Sequence, residues 1–292
     1  MTFAAFLEAA WNDHGDRPQE VADRLATSLS VIEAPENIPP FARLVTHVFG
    51  EHLGQWHRGT ELLESLRGLP AFDGSATVSG ALVRSVATLR FVGGESSVLE
   101  SLSTETRVEV LGTAASAFAG RKEFGRAIAA YMEALQLAHT GLPSKSPAIR
   151  ALAVGGNNLA AALEEKTDRD DAETEGMIVA ANGGLRYWKE AGTWLEEERA
   201  LYRLARSHLQ AGNPAAAIQS AWECVEVCKQ NNAPAFEQFC GYAVLALAQR
   251  DAGDADLFEE SRKQAMAIFE QLPDNEKMSC KSEVDELGGF KI

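Results

Sequence analysis

Two cysteines, Cys224 and Cys228, are spaced four residues apart, so on a helix both thiols would face the same side. Such a pair could bind a metal ion or form a redox couple. Zinc would need two more ligands, and the remaining candidates, His208, Cys240 and Cys280, lie at no characteristic spacing. Four cysteines in 292 residues are also too few for a disulfide-stabilised fold. We therefore expect free, mostly buried thiols, and we predict neither a metal site nor a cofactor.

A dense group of carboxylates lies between residues 168 and 175, at a spacing that could hold Mg²⁺ and a diphosphate. Its members are Asp168, Asp170, Asp171, Glu173 and Glu175. The strict D-D-x-x-D pattern of the aspartate box in terpenoid synthases is absent. Acidic residues also stabilise the start of a helix by about 0.3 to 1 kcal/mol each, because they complement its dipole. We predict a solvated helix start and keep a helical metal-dependent enzyme, acting on a phosphorylated or prenyl substrate, as the less favoured alternative.

Three histidines recur every five residues, at His47, His52 and His57. On an α-helix each is rotated by about 140° from the one before, so the three are predicted not to share one face. The sequence therefore predicts no histidine cluster. It also contains no Gly-x-Ser-x-Gly elbow and no Ser, His, Asp signature, so we predict no catalytic residues and no enzymatic activity.

The formal net charge of the chain is −15, with 42 acidic and 27 basic residues. A negative field repels phosphate, which argues against binding to nucleic acid or to an anionic membrane surface. No apolar run approaches the roughly 20 residues that span a bilayer. No Lys or Arg precedes the apolar residues of the N-terminus, as it would in a secretory signal. We therefore expect a cytoplasmic protein.

The elements that carry these residues are predicted to be helices, because Ala- and Leu-rich segments with helical spacing dominate the chain. The helices repeat. Ala127, Ala172 and Ala217 are each 45 residues apart, within three segments that align without gaps. A repeat of this length indicates stacked supersecondary units rather than one irregular bundle.

The turn within the third segment carries its own signals. Gly212 can adopt the left-handed conformation that ends a helix, Asn213 can cap the next helix, and Pro214 fits its first turn. These residues predict a helical hairpin. Small and large residues placed opposite each other, as in the first segment, are typical of two closely packed helices. The clearest set comprises Ala115, Phe118, Ala127, Tyr131 and Ala134.

The spacing of these small and aromatic residues resembles the tetratricopeptide repeat, over about residues 105–272. The period is longer than the 34 residues of that family. The Asn-Asn-Leu-Ala segment from Asn157 resembles the longer repeats of kinesin light chains and related bacterial proteins. The resemblance implies an all-α fold, a right-handed superhelical stack of antiparallel helix pairs, and a non-catalytic scaffold that binds another protein.

The repeat pattern divides the chain into three parts. Residues 1–104 are predicted to form degenerate helical hairpins that continue the stack, since terminal repeats are commonly atypical. A separate N-terminal helical domain is the less favoured alternative. Residues 105–272 carry the clear repeats. Residues 273–292 are predicted to be a C-terminal tail, with its last five residues frayed.

Turns and loops are predicted from glycine and proline. Hairpin turns of the N-terminal part are expected near Gly15, Gly54 and Gly93. Pro39-Pro40 and the segment 68–80 are the strongest candidates for loops or domain boundaries.

In tetratricopeptide proteins the first helix of each pair lines a concave groove, and the resemblance transfers that role to this chain. The position used most often corresponds to Gly112, Asn157, Tyr202 and Ala243. The predicted peptide-binding set comprises Asn157, Arg199, Tyr202, Arg203, Arg206 and Arg250. Arginine makes charge-assisted bonds to carboxylates, and asparagine can hold a peptide backbone. We predict a groove for an acidic or carboxylate-ended segment of a partner protein.

Two alternatives to this groove stay open. The arginines of the third segment could instead pair with Glu196, Glu197 and Glu198 on a solvated helix. The chain could also be a structural module that self-associates as a homodimer through its end helices.

Overall fold

A computed structural model describes residues 1–288 of the chain. Within that range the protein is all-α, without strands, which confirms the predicted fold class. The chain forms two compact units, Met1–Ala151 and Leu152 onward. Among residues 1–288, none of the helices combines the length and the apolar character needed to cross a bilayer.

The first unit begins with short helices and continues with longer ones. Its helices are α1 (Phe3–Asp13), α2 (Pro18–Thr27), α3 (Ile38–Val45), a π-helix (Thr46–Leu53), α4 (Trp56–Ser65), α5 (Ala76–Val92), α6 (Thr104–Gly120) and α7 (Phe124–His139). Helix α8 (Pro147–Glu164) spans the division between the units.

The second unit consists of long helix pairs followed by two short helices. They are α9 (Asp171–Ala191), α10 (Trp194–Gln210), α11 (Pro214–Gln230), α12 (Ala235–Ala252), α13 (Ala255–Phe269), α14 (Asp274–Ser279) and α15 (Lys281–Glu286). Its core includes Phe239, Ala243 and Leu247 of α12, which pack against Leu272, Cys280 and Leu287.

The aligned segments fold into helix pairs, as their turn chemistry predicts. Gly212 has φ of 69°, the Asn213 side chain accepts a hydrogen bond from the Ala216 amide, and Pro214 begins α11. The small and large positions of the repeat are buried as expected: Phe118 is 2% exposed and Tyr131 is 1% exposed. Hairpin packing is therefore confirmed at these positions.

Proline and glycine predict the N-terminal loops only in part. Gly54, with φ of 62°, ends the π-helix, as its predicted turn requires. Residues 69–75 are a connection, but Ala76 already begins α5. The loop predicted at Pro39-Pro40 is wrong, since both prolines lie in the first turn of α3. A first-turn amide has no partner within the helix, so proline loses no hydrogen bond there.

The region 273–292 contains two helices that its sequence does not indicate. After α14, Cys280 is 1% exposed, and after α15, Leu287 is 2% exposed. Both side chains belong to the apolar core of the second unit. Of the predicted frayed end, residues 289–292 lie outside the described part of the chain.

Candidate functional site

Two of the predicted groove residues of α10, Tyr202 and Arg206, contact helix α15. The Tyr202 hydroxyl donates a hydrogen bond of 2.7 Å to Glu283 Oε1. Arg206 donates two parallel hydrogen bonds, of 2.9 and 3.0 Å, to the carboxylate of Glu286. Two carboxylates spaced three residues apart on one helix face thus contact two residues spaced four apart on another.

Two further arginines bind the backbone at the end of α15. Arg250 Nη1 donates to the Glu286 carbonyl at 2.8 Å, and Arg262 Nε donates to the Leu287 carbonyl at 3.1 Å. The last carbonyls of a helix have no partner within the helix, and they carry the negative end of its dipole. Guanidinium groups therefore satisfy both the hydrogen bonds and the charge of this helix end.

Apolar contacts lie beneath these polar bonds. Ala243 of α12, at the repeat position equivalent to Asn157 and Tyr202, is buried in the cluster that contains Cys280 and Leu287. Val284 of α15 packs against the same cluster. We call the set Tyr202, Arg206, Ala243, Arg250 and Arg262 the α15-binding surface.

Burial shapes the electrostatics of this surface. Burial lowers the pKa of Arg206, but its interactions with Glu286, Tyr202 and Glu164 together outweigh burial and raise that pKa, so the guanidinium keeps its charge. Burial and the adjacent Glu283 raise the pKa of Tyr202 well above its ordinary value. Tyr202 therefore remains a hydroxyl donor across the physiological pH range.

The other predicted arginines pair with carboxylates of different helices. Arg199 bonds Glu237 of α12 at 2.9 Å, and Arg203 bonds Glu164 at the end of α8. Ser207 also donates to Glu164, at 2.6 Å. These are cross-helix pairs, whereas the alternative interpretation placed the partners among Glu196, Glu197 and Glu198 of α10 itself.

Asn157 lies half-buried on α8, whereas Tyr202 and Arg206 belong to α10. Helix α9 approaches its backbone closely: a Cβ atom on Gly184 would lie 3.0 Å from the Asn157 amide nitrogen. The backbone around Asn157 thus forms part of a tight helix contact within the second unit. Its role in peptide binding stays a prediction.

The carboxylate group at residues 168–175 forms the start of α9. Asp170 caps the helix by accepting from the Glu173 amide at 2.8 Å, and Glu173 in return accepts from the Asp170 amide. Lys166 bonds Glu173 at 2.6 Å. This reciprocal arrangement is a capping box, so the expected helix start is confirmed.

The cysteine pair of α11 faces a buried carboxyl group. Cys224, Cys228 and Glu198 are all buried, and one ligand atom of each lies within 4.8 Å of the other two. The Cys224 thiol donates to Glu198 Oε1 at 3.1 Å. Burial raises the pKa of Glu198 to about 7, and the pKa of the Cys224 thiol is raised by its hydrogen bond with Cys228 and by burial. The prediction of free, mostly buried thiols is confirmed. The carboxyl group beside Cys224 is seen only in the structure.

A second cluster lies in the first unit, where the sequence predicts none. One ring nitrogen each of His14, His47 and His52 lies within 4.8 Å of the other two. The prediction that His47 and His52 cannot share a face is wrong, because residues 46–53 form a π-helix. A π-helix turns less per residue than an α-helix, which brings side chains five apart close together. His57 follows on α4, with its side chain 89% exposed.

No family model matches the chain, and no curated protein matches it. Among solved structures, the chain is similar to a Signal Transduction ATPase with Numerous Domains (STAND) protein with a tetratricopeptide repeat sensor, from Pyrococcus horikoshii. The match has 12% sequence identity and a TM-score of 0.48, and it covers 93% of this chain and 42% of that protein. This chain therefore spans less than half the length of that protein.

Proposed function

We propose that this chain is a non-catalytic protein-interaction scaffold whose α15-binding surface accepts an acidic helical segment of a partner protein. The docking of α15 on Tyr202 and Arg206 supports the proposal, because it displays the ligand chemistry that this surface fits. An acidic helix of a partner would be a competitor for the place of α15.

The contacts define the kind of helix end that fits. Two glutamates spaced three apart reach Tyr202 and Arg206, while the final carbonyls reach Arg250 and Arg262. An apolar residue directly after the second glutamate, as in Leu287, enters the core. The expected ligand is therefore the C-terminal turn of a helix with the pattern Glu-x-x-Glu-apolar.

Two features of α15 lower the free energy needed to displace it. The helix has only six residues, and isolated helices of that length are marginal in water. Glu283 Oε2 is buried without a hydrogen-bond partner among residues 1–288, a defect that costs about 1 to 3 kcal/mol. Its covalent attachment favours α15 through a high effective concentration. A longer partner helix can offset that advantage with additional contacts.

Affinity capture from a cell extract tests this proposal with three forms of the full chain. The Glu283→Ala/Glu286→Ala variant removes the carboxylates that hold α15, so we expect partner recovery to rise several-fold above that of the unaltered chain. Adding Arg206→Glu to this variant places a negative charge opposite the incoming carboxylate, and recovery should be lost.

Lys263→Glu serves as the matched control, since Lys263 is exposed on α13 of the same unit and changes the net charge equally. All variants must keep their helical circular dichroism. Equal partner recovery with and without Arg206→Glu would refute the proposal. Size-exclusion chromatography at several concentrations separates the remaining alternative, in which a second copy of this chain supplies the helix.

A further inference from the structure

We propose that His14, His47 and His52 form a binding site for a divalent transition-metal ion, with Zn²⁺ as the best fit. The site lies where the end of α1 meets the π-helix, within the first unit. It is separate from the α15-binding surface and does not depend on the function proposed for it.

The ring nitrogens converge at distances that suit one metal ion. His47 Nε2 and His52 Nε2 are 3.1 Å apart. Two imidazole nitrogens bound to tetrahedral Zn²⁺ at 2.0 to 2.1 Å lie about 3.3 Å from each other. The ring of His14 completes the set, with its centroid 4.8 Å from that of His47 and 5.1 Å from that of His52. A small adjustment of the side chains would bring all three to one ion.

Hydrogen bonds already orient two of the rings. His47 Nδ1 lies 2.9 Å from Glu51 Oε2, and His14 Nδ1 lies 2.5 Å from the Trp11 carbonyl. Both partners are acceptors, so each Nδ1 carries the hydrogen and each Nε2 keeps its lone pair. Metal-binding histidines show this second hydrogen bond almost without exception, because it fixes the tautomer and the ring direction.

The third ring needs a change of tautomer. Since His47 Nε2 accepts, His52 Nε2 donates the hydrogen that bridges the two rings. An incoming metal ion would take the place of this bridge, and His52 would carry its hydrogen on Nδ1.

The backbone of this segment supports a functional role. π-Helical turns are rare, and they occur frequently at functional sites. Here the π-helix is what places His52 beside His47, since an α-helix would rotate them about 140° apart. The fold thus keeps an uncommon conformation at the residues that form the cluster.

Ligand chemistry narrows the choice of ion. Three imidazoles and no directly placed carboxylate favour Zn²⁺, Cu²⁺, Ni²⁺ or Co²⁺ over Mg²⁺ and Ca²⁺, which prefer oxygen ligands. Three protein ligands leave a fourth position of tetrahedral Zn²⁺ for water or another ligand. The ion would join α1 to the π-helix, two elements that otherwise meet through Trp11 and His47.

Isothermal titration of Zn²⁺ into the purified full chain, after chelator treatment, tests the site. We expect a single ion per chain, bound at least about 100-fold more weakly by His14→Gln and by His52→Gln, since each loses a direct ligand. Glu51→Ala keeps all three ligands but loses the acceptor that orients His47, so its affinity should fall by about 10- to 100-fold. His57→Gln is the matched control and should bind as the unaltered chain does.

Cobalt distinguishes this site from the buried Glu198, Cys224 and Cys228 cluster, because thiolate ligands give intense charge-transfer absorption and imidazoles do not. We expect Co²⁺ bands without thiolate absorption, unchanged in Cys228→Ser and lost in His14→Gln. His14 lies at the end of α1, so its replacement should leave the helical circular dichroism intact. His14→Gln therefore tests the metal site even if His52→Gln unfolds. Absence of Zn²⁺ binding, equal affinity in His14→Gln, or thiolate absorption would each overturn the proposal.

Discussion

At the residue scale, the repeat alignment predicts burial but not polar partners. Cys224 occupies a small inward position and is buried, as its equivalence to Ala134 predicts. The alternative to the groove places Glu198 on a solvated helix face together with Glu196 and Glu197, yet Glu198 is 1% exposed and contacts Cys224. Its burial depends on the distance between α10 and α11, which a sequence pattern does not contain.

Glu198→Gln is expected to make the protein more resistant to unfolding at high pH. The pKa of Glu198 is raised from 4.5 to about 7 by burial, with Cys224, Glu237, Arg199 and Cys228 as its charged or bonded neighbours. Because the folded state holds the proton more tightly, the stability of the unaltered chain falls as pH rises from about 4.5 to about 7. Glutamine does not titrate, so the free energy of unfolding of Glu198→Gln does not fall for this reason.

Urea unfolding at pH 5 and pH 8 measures the effect. The advantage of Glu198→Gln should grow between these pH values, to at most about 3 kcal/mol, on the basis of about 1.36 kcal/mol for each pKa unit. Glu223→Gln, at an exposed position of α11, should show no such growth. A difference between Glu198→Gln and the unaltered chain that does not vary with pH would contradict the burial assigned to this carboxyl group.

At the element scale, local signals predict regular helices well and irregular ones poorly. The turn residues Gly212, Asn213 and Pro214 act as their chemistry requires. The sequence does not predict the π-helix at 46–53, because a rotation of about 140° between the histidines holds only for an α-helix. The sequence also does not place His14 in the cluster, since His14 lies at the end of a different helix and at no regular spacing from His47.

Gly184→Ala should destabilise the second unit, because α8 and α9 meet backbone to backbone there. The added Cβ would lie 3.0 Å from the Asn157 amide nitrogen and 3.4 Å from the Gly156 carbonyl carbon, and neither can rotate away. Overpacking of this kind costs about 1 to 3 kcal/mol. Urea unfolding followed by circular dichroism measures the change.

Gly125→Ala provides the matched comparison on α7. Nothing lies within 4 Å of the added Cβ at this exposed helical position. Alanine is the better helix former, so the variant should gain up to about 1 kcal/mol. Equal effects of the two substitutions would mean that the helices do not approach closely at Gly184.

At the scale of the whole molecule, periodicity predicts the fold class and the hairpins, since both are repeated in the sequence. The occupant of the predicted groove follows no period. Tyr202 and Glu283 are separated by 81 residues, and the repeat pattern ends before α14 begins. Residues 273–292 contain polar residues and two short helices with little repeat signal, so sequence patterns indicated a tail where the structure has a docked acidic helix.

The overall charge of −15 restricts how the proposed acidic ligand can be recognised. An acidic ligand approaches an acidic protein against its long-range field, which salt screens within about 10 Å at 0.1 M. Recognition therefore has to come from the local, partly buried guanidinium and hydroxyl groups of the α15-binding surface. Arg206, with its two bonds to one carboxylate, is the group on which recognition should depend most.

The most direct measurement is the affinity of a fluorescently labelled peptide with the sequence of residues 274–288, followed by anisotropy under reducing conditions. The Glu283→Ala/Glu286→Ala chain, whose own α15 is held more weakly, should bind the peptide more tightly than the unaltered chain does. Adding Arg206→Glu should weaken that binding at least about 10-fold, while Lys263→Glu should leave it unchanged. The same affinity with and without Arg206→Glu, or no binding by the double variant, would contradict an acidic-helix site on this surface.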